Sequence, residues 1–207
     1  MGQMTTPRDD TREQLLAAAL SQFAERGFYG ASIAQIAGEL GLTKQALLYY
    51  FRRKEDLYAE VLKRITARLD IAMRTGRAAG SGPVEQFEFM IMSIYKEARE
   101  RPLDTRVLMR ELLDNQARAE NAKDWYLKPF LDEIVSTLDQ VDGLKAIPTA
   151  QKFASVYQML GAIEYFAISG PTLSRMYGES EFGEIGERFP IELREQIRRL
   201  IECGQGC

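Results

Sequence analysis

Apolar residues recur along this chain every three to four positions. Leu15, Leu16, Ala19, Leu20 and Phe23 fall on one stripe. Leu57, Val61, Ile65 and Leu69 form a second, flanked by Tyr58 and Leu62. Phe87, Ile91, Ile94 and Ala98 repeat the spacing, as do Phe130, Ile134 and Leu138. This is the period of amphipathic helices. No stretch between turn signals alternates as a half-buried strand does. The pattern predicts an all-α protein of about eight or nine helices.

Punctuation divides the pattern. Thr6-Pro7 reads as a cap followed by proline in the first helical turn. Gly27 and Gly30 bracket the end of the first helix, and Gly41 ends a short second one. Ser32 and Gln35 have capping-box spacing, in which each side chain satisfies the other's backbone donor. Thr43 caps the next helix. A longer helix starts near Lys54 and runs to about Gly76. Residues 76–83 hold three of the chain's glycines and read as a loop. Their G-x-x-x-G-x-G spacing lacks the Lys-Ser/Thr ending of a phosphate loop. Helices follow at 84–101, 103–114, 122–141, 149–173 and 190–203. Pro129 marks a kink, or the start of a straight segment after a looser first turn. The acidic, glycine-containing residues 178–188 read as a loop.

The segment SIAQIAGELGLTKQALLYYF, residues 32–51, carries the chemistry. Two short helices meet at Glu39-Leu40-Gly41-Leu42. Glycine accepts the left-handed backbone of a tight turn, and small Ala37 lets the helices approach. Ile36, Leu40, Leu42 and Leu47 are placed to bury between them. This is a helix-turn-helix, whose second helix enters the major groove of DNA. The candidate reading helix begins at Thr43, Lys44 and Gln45. Lysine reaches guanine O6 and N7 or a phosphate, and glutamine pairs with adenine N6 and N7. Tyr49 and Tyr50 offer hydroxyls to phosphates and rings to thymine methyls. Ser32 and Gln35 open the preceding helix, where the dipole favours a phosphate. Arg52, Arg53 and Lys54 form a cationic run beside the reading helix.

From about Thr11 to Leu62 the chain resembles the tetracycline-repressor (TetR) family of bacterial transcription regulators. The phrases FAERGFYGAS, IAQIAGELGLTK and LYYFRRKEDL carry the likeness, over about a quarter of the chain. It implies DNA contacts at Thr43, Lys44, Gln45, Tyr49, Tyr50 and Lys54. The chain departs from the family pattern at four positions. Gln45 stands where a small residue is common, Leu48 where a tyrosine is, and Tyr50 where a histidine is. Arg53 replaces the usual Ser, Asn or Asp cap. The resemblance further implies that the last two helices of each subunit form a four-helix dimer interface.

Composition narrows the alternatives. The chain has 207 residues, a formal charge of −3 and no histidine. Without imidazole there is no Ser-His-Asp or Cys-His arrangement and no His-ligated zinc or haem. Cys203 and Cys207 are read as reduced thiols of a frayed tail, so no metal and no cofactor are expected. The polar N-terminus is not a signal peptide. The longest apolar stretch, residues 153–168, contains Ser155, Gln158 and Glu164 and is shorter than the ~20 residues of a membrane span. A cytoplasmic protein is expected. The charge is unevenly placed: residues 1–75 carry +2 and residues 76–207 carry −5. Charges are screened beyond ~8–10 Å at physiological salt, so an acidic chain is still able to bind DNA through a basic face.

Residues 153–168 are apolar nearly all round the helix, which predicts cover on two sides, one by the chain's own bundle and one by a partner. The expected dimer interface is Tyr157, Leu160, Glu164, Ile168, Ile197, Leu200 and Ile201. The bundle is also rich in methionine and aromatic residues, which suit an adaptable apolar pocket. Its candidate ligand-binding residues are Met90, Ile94, Met109, Trp125, Tyr126, Phe130, Tyr157, Glu164 and Tyr165. Glu164 needs a partner in so apolar a helix: a cationic ligand, a pocket hydroxyl, or Arg194 or Arg198 across a dimer.

The sequence therefore leads to two domains: 1–53, a three-helix DNA-binding domain with the helix-turn-helix, and 54–207, a helical ligand-binding and dimerisation domain. The helix 54–76 connects them. The expected function is a homodimeric regulator, a repressor, that binds a palindromic double-stranded DNA operator and is released by an apolar or amphipathic small molecule. The competing reading is a helical enzyme acting on a small hydrophobic substrate, with Glu164 and a tyrosine as acid and base. No motif joining nucleophile, base and oxyanion donor supports that alternative.

Overall fold

The computed structural model describes residues 7–114 and 127–205. Among them there are helices and no strand. The elements are α1 (Pro7–Gly30), α2 (Ile33–Gly38), α3 (Lys44–Tyr50), α4 (Lys54–Ala79), α5 (Pro83–Glu100), α6 (Pro102–Asp114), α7 (Leu127–Leu138), α8 (Thr149–Tyr177) and α9 (Glu179–Gln205). The predicted fold class stands. Trp125 and Tyr126 lie outside the described residues, as do Cys207 and the expected helix start at 122. None of the described helices is long and apolar enough to cross a membrane.

The chain forms two compact units. One joins Met1–Thr66 to Leu103–Glu120, and the other joins Ala67–Pro102 to Asn121–Cys207. The division falls within α4, after Thr66 rather than at 53/54, and α6 belongs to the first unit. Polar contacts explain that membership. Arg110 donates from Nε to the Ala24 carbonyl (2.9 Å) and from Nη2 to the Glu25 carbonyl (2.6 Å). Those carbonyls lie just before Gly27, whose φ of +69° breaks α1, so the arginine satisfies acceptors near a helix end. Tyr58 donates a buried hydrogen bond of 2.6 Å to Glu111.

The first unit closes over Leu15, Leu16, Ala19, Phe23, Ile36, Ala37, Leu47, Leu57 and Val61, all buried. The second has its own core, in which Phe87, Met90, Ile91 and Ile94 of α5 pack with Ile134 and Leu138 of α7, Val156 and Ile163 of α8, and Ile197 of α9. Lys152 is buried at the start of α8 and ion-paired with Asp139, which is half exposed. The pairing lets the ammonium reach the edge of the unit while its methylenes fill space.

The structure departs from the sequence pattern at two glycine-containing segments. Residues 178–188 are not a loop: α9 begins at Glu179. Glu179 and Glu181 in its first turn favour the helix dipole. Phe182, Ile185 and Phe189 set an apolar stripe across the glycines, and Phe189 stacks on Phe166 with centroids 4.1 Å apart and rings 2° from parallel. This packing offsets the helix cost of Gly183 and Gly186, about 1 kcal/mol each. Nor does Gly76 end α4, which continues to Ala79. A Cβ at Gly76 would stand 2.4 Å from the carbonyl oxygen of Phe89. The glycine is there because α5 passes too close for any side chain, not to turn the chain.

The two kinds of glycine separate by mutation. Gly76→Ala is expected to destabilise by roughly 1–3 kcal/mol through overpacking against backbone. Gly183→Ala, with nothing within 4 Å of the added carbon, is expected to stabilise by up to about 1 kcal/mol. Urea denaturation of both variants measures the difference in sign.

Candidate nucleic-acid interface

The turn between α2 and α3 is hydrogen-bonded throughout. The Leu40 and Leu42 amides both donate to the Ala37 carbonyl (3.1 and 2.9 Å), and the Gly41 amide donates to that of Gly38 (3.0 Å). Gly41 has φ +67°, a backbone angle that other residues rarely adopt. Thr43 then caps α3, its Oγ1 accepting from the Ala46 amide at 3.2 Å. Leu47 has no exposed surface, while Leu40 and Leu42 are only partly buried. One apolar anchor thus fixes the rotation of a seven-residue helix and turns its opposite face outward.

That outward face begins with Thr43, Lys44 and Gln45, all exposed, and continues to Tyr49, which is 68% exposed. Tyr50 is half-buried and meets Tyr49 edge to face at 5.5 Å. Among the described residues, no hydrogen bond or ion pair engages the side chains of Lys44, Gln45 or Arg52. The rest of the cationic run is engaged. Arg53 donates to Asp56 at 3.0 Å, which raises the guanidinium pKa further. The Lys54 ammonium lies 4.7 Å from the centre of the Phe28 ring, and burial lowers its pKa. Arg53 at the head of α4 therefore meets the acid in that first turn, in a position where a short polar cap is common.

The capping box expected at α2 does not form. Ser32 occupies the cap position without a side-chain cap bond. Gln35 instead accepts from Arg26 Nη1 at 3.2 Å, because α1 brings a charged donor to it, and a charged donor outcompetes a neutral amide. Both Ser32 and Gln35 remain beside the turn. Sequence reasoning missed Arg8, whose guanidinium lies 5.1 Å from the centre of the Tyr49 ring. Residue type alone offered no signal for it, since the contact joins positions 41 residues apart in sequence. Gln22 was also missed. Its amide donates to Glu39 and ties α1 to the turn.

In the second unit the candidate ligand and dimer residues separate by burial. Met90, Ile94, Leu160, Ile197 and Ile201 lie inside the chain's own core, and Phe130 and Leu200 pack against it. Tyr157 and Tyr165 are exposed, at 51% and 68%. Ile168 is half-buried. Met109, on α6, belongs to the first unit. Arg194 pairs with Glu88 and Arg198 with Glu195 in the same chain. Among the described residues, no hydrogen bond or ion pair reaches Glu164, and burial raises its pKa from 4.5 to about 7.

Comparison with known proteins agrees with this geometry. A family model described as bacterial regulatory proteins, tetR family, matches residues 15–61. The HTH-type transcriptional regulator RutR of Escherichia coli strain K12 is 32% identical over 193 residues, 92% of this chain and 88% of the relative. The HTH-type transcriptional activator FasR of Mycolicibacterium smegmatis is 43% identical over 58 residues, 28% of this chain and 26% of its own. Among solved structures, the fatty acid degradation regulator FadR from Bacillus halodurans superposes with a TM-score of 0.67 at 16% identity, over 96% of this chain and 97% of that one. The ketosteroid transcriptional regulator KstR2 of Mycobacterium tuberculosis gives a TM-score of 0.64 at 19% identity, over 89% and 95%. These two share the fold.

Glu164 makes a pH-dependent prediction. Below pH 4.5 its carboxyl is protonated in folded and unfolded chains alike. Between 4.5 and about 7 only the unfolded chain releases the proton, so stability falls as pH rises through that window and levels off above it. The loss is at most about 3 kcal/mol. No histidine titrates in the same interval. Glu164→Gln is expected to remove this slope, so that its stability relative to wild type rises between pH 5 and pH 8 in urea titrations. A constant difference between the two proteins would place the carboxylate in water.

Proposed function

This chain belongs to the TetR family of bacterial transcription regulators, and we propose that it acts in the cytoplasm as a homodimeric repressor of a palindromic operator, released by a small molecule. The observation that carries the DNA-binding part is the outward face of α3. Lys44, Gln45 and Tyr49 project from a helix anchored on its other side, and Arg52 stands beside them uncommitted. Lys44 and Gln45 have the donor chemistry to read base edges in a major groove. Arg52 supplies phosphate attraction, and the Arg8 guanidinium stands over the Tyr49 ring.

The dimer rests on α8. Its inner side is buried, while Phe153 and Tyr157, stacked at 5.5 Å, share the outer side with exposed Gly161, Ala162 and Tyr165. An exposed apolar face of this kind is suited to a second copy in a self-complementary interface. A dimer sets two copies of α3 about 34–36 Å apart, one helical turn of DNA. An effector that favours a state with a different spacing releases the operator, and linkage requires it to bind the DNA-free protein more tightly.

The test begins with DNA fragments selected by the purified protein. Lys44→Ala and Tyr49→Ala are expected to weaken binding to the selected fragment by about 10- to 100-fold. Sedimentation is expected to show an intact dimer in both. Affinity of the wild type falls steeply with salt, and Arg52→Ala lowers the salt slope by about one unit. Unchanged DNA affinity in both α3 variants would refute this recognition surface.

A further inference from the structure

The second unit holds a groove between the C-terminal end of α4, α5 and α9, with a volume of about 480 Å³. None of the described residues expected from sequence to bind ligand lines it. Small residues line it where α4 meets α5: Gly76 and Ala79 on one side, Ser93 on the other. Its walls are the apolar side chains of Phe89, Met92 and Tyr95, with Pro190 of α9 at its edge, and it is open to solvent. The volume lies within the ~300–1,000 Å³ of small-molecule sites.

Charge decides what fits. Lys96 and Arg194 line the groove, and among the described residues no carboxylate does. Each cation has an acid outside the lining. Arg194 Nε donates to Glu88 at 3.2 Å, and Lys96 lies 3.8 Å from Glu100. Both cations are substantially exposed, at 44% and 74% of the side chain. Exposed pairs of this kind are worth little and exchange readily. The remaining guanidinium donors of Arg194 and the ammonium of Lys96 are able to take a further acceptor. A cationic ligand would meet two like charges here, and a neutral one would leave them unused.

We propose that this groove binds an amphipathic monocarboxylate, its apolar chain lying against Phe89, Met92 and Tyr95 and its carboxylate held by Lys96 and Arg194. As the effector site, the groove rests on the release reading above; as a binding site, it does not.

The experiment compares decanoate, decan-1-ol and decyltrimethylammonium at pH 7.5 by competition with a fluorescent apolar probe, using the full chain without DNA. Decanoate is expected to bind at one per chain, about tenfold more tightly than the alcohol, with the cation weakest. The Lys96→Gln/Arg194→Gln double variant is expected to bring decanoate to the affinity of the alcohol and leave the alcohol unchanged. Ala79→Trp, at an exposed position, is expected to abolish both, with circular dichroism showing that each variant is folded. Equal binding of acid and alcohol, unchanged decanoate affinity in the double variant, retained binding in Ala79→Trp, or no binding by wild type would each overturn the proposal. Operator affinity is measured separately. Decanoate that occupies the groove without weakening the operator complex upholds the site and counts against release through it.

Discussion

The seating of Leu47 is the contact on which the outward face of α3 depends. A seven-residue helix is far too short to persist alone in water, so the direction of every side chain on α3 is borrowed from what holds it. Three things hold it: a fully buried leucine, a threonine cap, and a turn in which Gly41 takes the left-handed backbone while Ala37 accepts two amides. With that face pinned, Lys44, Gln45 and Tyr49 have no alternative but to point outward. The surrounding unit reinforces the arrangement at some distance. Gln22 ties α1 to the turn, and Arg110 of α6 satisfies carbonyls near the break in α1.

Electrostatics on this surface is selective rather than abundant. Three consecutive cations follow α3, but their environments differ. Arg53 is claimed by Asp56, and Lys54 is partly desolvated over Phe28, whereas Arg52 is exposed. The same sorting occurs on α1, where Arg64 binds Glu13 and holds that carboxyl below its ordinary range. Charges used to hold helices together contribute little field to a partner, because each is neutralised within a few ångströms. The net −3 of the chain therefore says less about DNA than the few side chains left uncommitted beside the turn.

The second unit is organised by the closeness of its helices. The approach of α5 to Gly76 leaves no room for a Cβ, and the groove lined by Ala79 and Phe89 lies beside that contact. Phe166, Phe189 and Tyr95 stack across three helices and draw the glycine-containing start of α9 into helical form. On α8 the two faces have different fates in a single chain: Val156, Met159 and Ile163 are interior, while Phe153, Tyr157 and Tyr165 face outward. Glu164 sits on the same helix with its charge disfavoured by burial.

Much of this protein was legible in one dimension. Helical periodicity located most of the helices, because each buries a stripe spaced at its own turn. The helix-turn-helix was readable because glycine at 41, small Ala37 and a threonine cap are local requirements satisfied within a few residues of one another. The exposure of Thr43, Lys44, Gln45 and Tyr49 followed, since the anchor and the outward face of a short helix are set by spacing alone. What stayed hidden depends on partners distant in sequence. The helix over 179–188 is stabilised by Phe166 and Tyr95, so composition alone suggested a loop. Gly76 looked like punctuation because a glycine needed for a close approach and one needed for a turn are the same letter. Ser32 and Gln35 matched a capping box, but Arg26 arrived from another helix and took the glutamine. The assignment of α6 to the first unit and the stacking of Arg8 on Tyr49 likewise exist only once the chain has folded back on itself. Local backbone requirements were written in the sequence; competition among distant groups for the same donor, acceptor or space was settled by the tertiary structure.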